Sequence, residues 1–95
     1  RKAGRIPLAA KVHVRRYGKL SYDVRIFDLS THGCKLEFVD LPTHDEKLWI
    51  KLPGIESLEA QVCWLDGHTG GAQFVRALHP AVLSLLLTKL GCTTA

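Results

Sequence analysis

Alternation of polar and apolar residues in short segments is the feature that most constrains the fold of this chain. In residues 11–15, Val12 and Val14 alternate with Lys11, His13 and Arg15. A period of two places the valines on one face of a β-strand and the charged residues on the other. Four further segments share this pattern, and a hairpin-sized gap after the fifth strand leads to a sixth. The predicted strands cover residues 8–17, 21–29, 34–39, 47–52, 58–65 and 71–78.

The period changes after residue 79. Apolar residues then recur at spacings of three and four from Val82 to Leu90, and Pro80 suits a first helical turn, which predicts a helix over residues 80–90. No helical segment separates the strands, so a fold built from βαβ units is not expected. The pattern therefore predicts an all-β fold with one C-terminal helix, in which six antiparallel strands curl into a barrel. A chain of 95 residues is expected to form a single domain.

The net charge of +4 favours an anionic partner. Six of the thirteen Lys and Arg residues lie between Arg1 and Arg16, and the rest are scattered. A polymer of nucleic acid usually requires a denser basic stripe, so a small anion is the better expectation. No apolar segment is long enough to cross a bilayer, and no membrane span is expected.

The cysteines and histidines do not form a recognisable site. Cys34, Cys63 and Cys92 are odd in number and lack Cys-x-x-Cys spacing, so neither a disulfide framework nor a zinc site is expected. The five histidines lack the spacing of metal ligands, and no metal is expected. A reducing, cytoplasmic location follows as the default. No catalytic set stands out, so the chain is not expected to be an enzyme.

The segment from Asp28 to Gly33 joins the second and third predicted strands. Asp28, Ser30 and Gly33 are also common in ordinary turns, where Asp and Ser bond to backbone amides and Gly supplies positive φ. A hairpin turn near Gly18 would pair Asp28 with about Ala9, and so bring the turn close to the basic N-terminus.

The N-terminus carries Arg1, Lys2 and Arg5. Terminal charge runs are usually solvated tails, but this one is predicted to lie beside the Asp28 turn. A guanidinium can pair with the guanine edge, stack on the base or hold a phosphate. The Asp28 carboxylate can accept hydrogen bonds from guanine, the Ser30 hydroxyl can donate or accept, and Gly33 allows close approach.

An Arg-x-x-x-Arg segment at Arg1 and Arg5, followed one hairpin later by Asp-x-Ser-x-x-Gly, resembles the PilZ domain family. The six strands, the segment Gly71–Phe74 and the closing helix follow the same pattern. The resemblance implies a PilZ-type barrel over residues 8–78, a flexible ligand-binding segment over residues 1–7 and a helix over residues 80–90. It also implies a bacterial receptor for the second messenger cyclic di-GMP, which signals through ordering of the N-terminal segment to a partner protein or linked domain.

By the same resemblance, the residues expected to bind cyclic di-GMP are Arg1, Arg5, Asp28, Ser30 and Gly33, with possible further contacts from Lys2, His32 and Trp64. Alternation places Trp64 on the face of Val62 and Ala60, which is typical of core packing, although a tryptophan near a strand end can also stack on a base. The number of bound nucleotides is left open.

Two other functions fit parts of the pattern. The first alternative is a PilZ-like protein-interaction module that does not bind nucleotide and contacts its partner through outer strands, near Trp49. The second is a small barrel that binds single-stranded nucleic acid, which the positive charge favours and the few aromatic residues do not.

Overall fold

The computed structural model describes residues 6–16, 18 and 21–90, with side chains from Ala10 onward. This part of the chain contains six strands and one helix in the predicted order. Their bounds are β1 (Ile6–Arg16), β2 (Tyr22–Leu29), β3 (Gly33–Glu37), β4 (Lys47–Lys51), β5 (Leu58–Asp66), β6 (Thr69–Phe74) and α1 (Pro80–Lys89). The predicted all-β fold with a C-terminal helix is confirmed.

The strands form a closed barrel in the order β1-β2-β3-β6-β5-β4. Every neighbouring pair is antiparallel, and the barrel closes where Val14 of β1 lies opposite Ile50 of β4. A closed sheet leaves no strand edge for another chain to extend. The predicted six-stranded antiparallel barrel is therefore confirmed.

The strand ends differ from the predicted bounds. β1 begins at Ile6, so Ile6 and Pro7 are strand residues and not part of the expected N-terminal segment. β6 begins at Thr69 because Gly67 and His68 alone make the turn from β5, and it ends at Phe74. The Gly67 backbone has φ of 62°, which suits a two-residue hairpin turn.

The core lies inside the barrel, and residues of α1 pack against it. Its buried side chains come from alternate positions of all six strands, as the period of two requires. They include Val14, Ile26, Leu36, Ile50, Val62 and Phe74, with Leu86 and Leu87 from the helix. The His79 ring accepts a hydrogen bond from the Ala81 amide and caps the helix. Within the described residues, no helix is both long and apolar enough to span a membrane.

A one-residue β-bulge at Phe27 interrupts the alternation of β2. Ile26 lies opposite Leu36 and Asp28 lies opposite Lys35, so Phe27 is an extra residue. Strict alternation from buried Ile26 would turn Asp28 towards the core. The bulge instead leaves both Phe27 and Asp28 half-buried on the outer surface.

A second bulge at Cys63 has the same effect on β5. Val62 lies opposite Ala72 and Trp64 lies opposite Gly71, which makes Cys63 the extra residue. Val62 is fully buried, Cys63 is exposed and Trp64 is half-buried. The outer surface therefore contains a row of register neighbours across four strands, Asp28, Lys35, Gly71 and Trp64.

A buried arginine joins β1 to the segment before β4. Arg16 is 6% exposed, and its guanidinium donates to both carboxylate oxygens of Glu46, at 2.6 and 3.0 Å. It also donates to the Asp40 carboxylate at 2.9 Å. The hydrogen bond from Arg16 holds the pKa of Glu46 below its ordinary value, more than burial raises it. This cluster anchors the segment between β3 and β4.

Candidate functional site

The turn between β2 and β3 is organised by Ser30. Ser30 is 5% exposed, and its Oγ accepts hydrogen bonds from the amides of His32 and Gly33, each at 3.2 Å. The Ser30 amide donates to the Gly33 carbonyl at 2.9 Å. A serine hydroxyl that bonds to nearby amides is typical of a tight turn. Ser30 therefore fixes the shape of the turn from within.

Backbone hydrogen bonds also tie this turn to the C-terminal part of the chain. The Thr31 carbonyl accepts from the Leu78 amide at 2.7 Å, and the His32 carbonyl accepts from the Phe74 amide at 2.8 Å. Phe74 ends β6, and Leu78 lies two residues before helix α1. The turn is thus held on both sides, by its own serine and by the link between β6 and α1.

Gly33 does not have the positive φ that is common in ordinary turns. Among the described glycines, positive φ values occur at Gly18, Gly54 and Gly67, but not at Gly33. A Cβ atom on Gly33 would instead lie 2.2 Å from the carbonyl oxygen of Ala72. The glycine therefore allows close approach of the β6 backbone, and a positive φ plays no part.

A pocket of about 260 Å³ lies on the outer surface beside the turn. Its lining residues come from the turn and from the two neighbouring strands, and they are Ser30, His32, Gly33, Cys63, Gly71, Ala72 and Gln73. Three predicted site residues, Ser30, His32 and Gly33, are thus brought together. The exposed His32 ring contacts the Thr31 hydroxyl at 3.1 Å.

Sequence reasoning missed Cys63 and Gln73 as lining residues. Gln73 reaches the pocket because it lies opposite Gly33, in a pairing between strands that are distant in sequence. Its outward position in the alternation of β6 was the available signal. Cys63 lies outward in the alternation of β5, and its thiol lies 3.3 Å from the Gly71 carbonyl.

Asp28 lies next to the pocket on the outer surface. Its register partners are Pro7 of β1 and Lys35 of β3. The predicted partner was about Ala9. One residue of the difference arises because the hairpin is centred on Gly18, with Val12 opposite Val24, and the other from a register shift between Pro7 and Ala10. Pro7 is nearer to the N-terminus than Ala9, so Asp28 lies closer to the start of β1 than expected.

Alternation had predicted that Trp64 shares the face of Val62 and Ala60. This prediction was wrong, because Trp64 lies on the outer surface. The bulge at Cys63 is the cause. The indole covers Gly71, where a Cβ atom would lie 2.0 Å from its Nε1. Trp64 does not line the pocket itself, but it packs on a glycine that does.

The predicted ligands Arg1, Lys2 and Arg5 lie outside the described residues. The nearest described residue is Ile6, whose partner in the register is Leu29. The described part of β1 therefore begins beside the end of β2, where the turn starts.

The site offers several polar groups on one outer surface. Lys35 supplies a cation opposite Asp28, and its Nζ lies 5.8 Å from the centre of the Phe27 ring. Gln73 can both donate and accept hydrogen bonds, and Asp28 can accept them. Among residues 6–16, 18 and 21–90, no group of three His, Cys, Asp or Glu side chains is placed to hold a metal ion.

Comparisons with known proteins identify the family. The family model for the PilZ domain matches residues 1–88. The crystal structure of the PilZ domain of CeSA from a cellulose-synthesizing bacterium is similar, with a TM-score of 0.61, 19% identity, and coverage of 92% of this chain and 93% of that one.

The Bacillus subtilis inhibitor of motility, MotI/DgrA, is similar as well, with a TM-score of 0.62 and 16% identity over 95% of this chain and 49% of that one. At these identities the likenesses show the fold. The comparison with curated protein sequences gave no match. Because the family model spans most of the sequence, the chain belongs to the PilZ domain family.

Proposed function

We propose that this domain is a receptor for cyclic di-GMP and that the ligand binds on the outer surface beside the β2–β3 turn. The observation that carries the proposal is the turn held by Ser30, with a pocket of about 260 Å³ beside it. A turn held by its own hydrogen bonds needs little reorganisation on binding, which favours affinity. The PilZ family, to which this chain belongs, includes receptors for this nucleotide.

Each group of the proposed site has a role that matches its chemistry. Asp28 accepts hydrogen bonds from the N1 and N2 donors of one guanine, and Gly33 forms part of the pocket wall. The guanidinium groups of Arg1 and Arg5 bind guanine and phosphate, with Lys2 as a further contact. Arg5 directly precedes Ile6, the residue that lies opposite Leu29. His32 contacts the ligand from the turn, and Trp64 stacks at the far end of the outer row.

Binding in this proposal has a regulatory result. The ligand draws the segment that carries Arg1 and Arg5 onto the barrel, and the changed surface alters contact with a partner protein or a linked domain. No catalytic step is involved.

Calorimetric titration of cyclic di-GMP into single variants tests the site. Asp28→Ala and Arg5→Ala should each weaken binding at least about tenfold, since a hydrogen bond to a charged group contributes roughly 1.5–3 kcal/mol. Asp23→Ala is the matched control because Asp23 is an outward aspartate on the same strand, where it contacts His13 and not the turn. Its affinity should equal that of the wild type.

Cyclic di-AMP serves as the ligand control and should bind at least about tenfold more weakly, because adenine lacks the N1 and N2 donors that Asp28 is proposed to accept. Unchanged affinity in both site variants would reject the site. A wild-type domain with no measurable binding of cyclic di-GMP would reject the receptor function and favour the interaction module.

A further inference from the structure

A second groove lies on the outer surface of β1 and β2, next to the proposed nucleotide site. It has a volume of about 370 Å³ and is lined by Ala10, Lys11, Arg25 and Phe27. Lys35 of β3 borders it through its contact with the Phe27 ring. The proposed nucleotide site uses none of the four lining residues.

The groove concentrates positive charge on three adjacent strands. Lys11 and Arg25 are direct register partners, and both side chains are exposed. Like charges directly opposite each other in a sheet are destabilising. Glu37 lies opposite Arg25 on the other side, yet the two form no ion pair. Within the described residues, none of Lys11, Arg25 and Lys35 takes part in an ion pair.

An apolar surface lies among these cations. The bulge in β2 holds Phe27 half-buried on the outside of the barrel, with Ala10 beside it in the groove. An outward aromatic ring with cations around it can accept an apolar side chain while the cations bind carboxylates. The ring and the charges together thus specify a ligand that is both acidic and apolar.

The spacing favours an extended peptide over a single small anion. Neighbouring strands are about 4.8 Å apart, so cations on β1, β2 and β3 span roughly 10 Å. One carboxylate cannot reach across that distance, whereas alternate residues of an extended peptide are about 7 Å apart. The barrel is closed, so a partner cannot add a strand to it and must bind through side chains. A single ring is a poor platform for successive nucleic-acid bases.

We propose that this basic groove docks an acidic segment of a partner protein. Carboxylates of the segment bind Lys11, Arg25 and Lys35, and an apolar side chain between them packs on Phe27. Because Phe27 directly precedes Asp28, the partner lies beside the proposed nucleotide site. The docking itself does not require the nucleotide, so it is testable without cyclic di-GMP.

Nuclear magnetic resonance titration of the nucleotide-free domain provides the test. The probe is a short blocked peptide of alternating Glu and Leu, and its Gln counterpart is the charge control. The acidic peptide should shift the signals of Lys11, Arg25 and Phe27. Arg25→Ala should weaken binding about tenfold, the effect of losing one hydrogen bond to a charged group. Arg76→Ala is the matched control, since Arg76 is an exposed cation in a separate groove with Glu56 and Glu59.

Several outcomes would overturn the proposal. These are no binding of the acidic peptide, equal binding of the Gln peptide, signal shifts outside the groove, or equal affinities of Arg25→Ala and Arg76→Ala. An oligothymidylate of equal length and phosphatidylglycerol vesicles are tested in parallel. If either one perturbs the groove more strongly than the peptide, the groove serves nucleic acid or lipid and not an acidic protein segment.

Discussion

Trp64 occupies the space in front of Gly71 that any larger residue would need. A Cβ atom at Gly71 would meet the indole, whereas one at Gly33 would meet the backbone oxygen of Ala72. The two glycines therefore differ in what a methyl group would encounter. A side chain can be removed by mutation, but a strand backbone cannot.

Gly71→Ala should lower the free energy of unfolding by about 1–3 kcal/mol, the usual cost of overpacking. In a Trp64→Val background the same change should cost far less, because the obstructing indole is gone. Urea unfolding of the four proteins of this double-mutant cycle measures the coupling. Gly33→Ala is the control and should be destabilising in both backgrounds. Equal costs of Gly71→Ala with and without Trp64 would contradict the contact.

The lowered pKa of Glu46 predicts that the stability of the domain depends on pH. Its folded-state pKa is lowered from the ordinary 4.5, chiefly by the hydrogen bond from Arg16. A carboxyl group with a lowered folded pKa stabilises the fold fully above its unfolded pKa and loses this effect as the pH falls through the folded value. The contribution should thus be complete above about pH 4.5 and decline below it.

Glu46→Gln should lower the free energy of unfolding at pH 7 by about 1.5–3 kcal/mol, the contribution of a hydrogen bond to a charged group. The difference in free energy of unfolding between this variant and the wild type should become smaller as the pH falls below about 4.5. Glu37→Gln is the control because Glu37 is exposed and forms no ion pair within the described residues. If the difference in free energy of unfolding between Glu46→Gln and the wild type stays constant down to pH 3, Glu46 does not stabilise the fold through its charge.

At the scale of elements, the β2–β3 turn is linked to helix α1. The amides of Phe74 and Leu78 donate to carbonyl groups of the turn, and α1 begins two residues after Leu78. A ligand that stabilises the turn should therefore also protect these two amides from hydrogen exchange. The link provides a path from the proposed nucleotide site to the C-terminal part of the domain.

Saturating cyclic di-GMP should slow the hydrogen exchange of the Phe74 and Leu78 amides, since a ligand bound at the turn suppresses its local opening. The Val75 amide is an internal control because it donates to the Glu59 carbonyl of β5. Its protection should rise less. Exchange measured by nuclear magnetic resonance compares the three amides directly. Equal increases at all three would mean that the turn and the helix are not specifically linked.

The same elements show how far the sequence could predict the structure. Alternation identified the first five strands because inward residues such as Ile26 and Val62 are fully buried. It failed at Trp64, because one extra residue in a strand reverses the faces of all residues that follow. Bulges depend on how a strand fits its neighbours, so no local period reveals them.

Part of the candidate site was also predictable. Ser30, His32 and Gly33 are close in sequence and remain together in the turn, so local turn chemistry was enough to group them. Cys63 and Gln73 join them only through pairings between β5, β6 and β3. Such pairings between distant segments are set by closure of the whole barrel and leave no motif in the sequence.

At the scale of the whole molecule, the apolar core occupies the interior and the candidate sites lie on the outer wall. The buried residues of all six strands and α1 form one core. The outer wall has distinct regions. The turn pocket lies over β3 and β6, the basic groove lies over β1 and β2, and Trp49 on β4 packs under the Arg15 guanidinium at 4.6 Å. Because these regions involve different strands, a residue-resolved titration can tell them apart.

Cyclic di-GMP is proposed to bind at the turn pocket, and a heteronuclear titration of the wild-type domain tests this binding most directly. The largest amide shifts should occur at Ser30, His32, Gly33 and Gln73, and cyclic di-AMP should need at least about tenfold higher concentrations to reach the same shifts. Largest shifts around Trp49 and Arg15, or no shifts at a saturating concentration, would contradict binding at the turn.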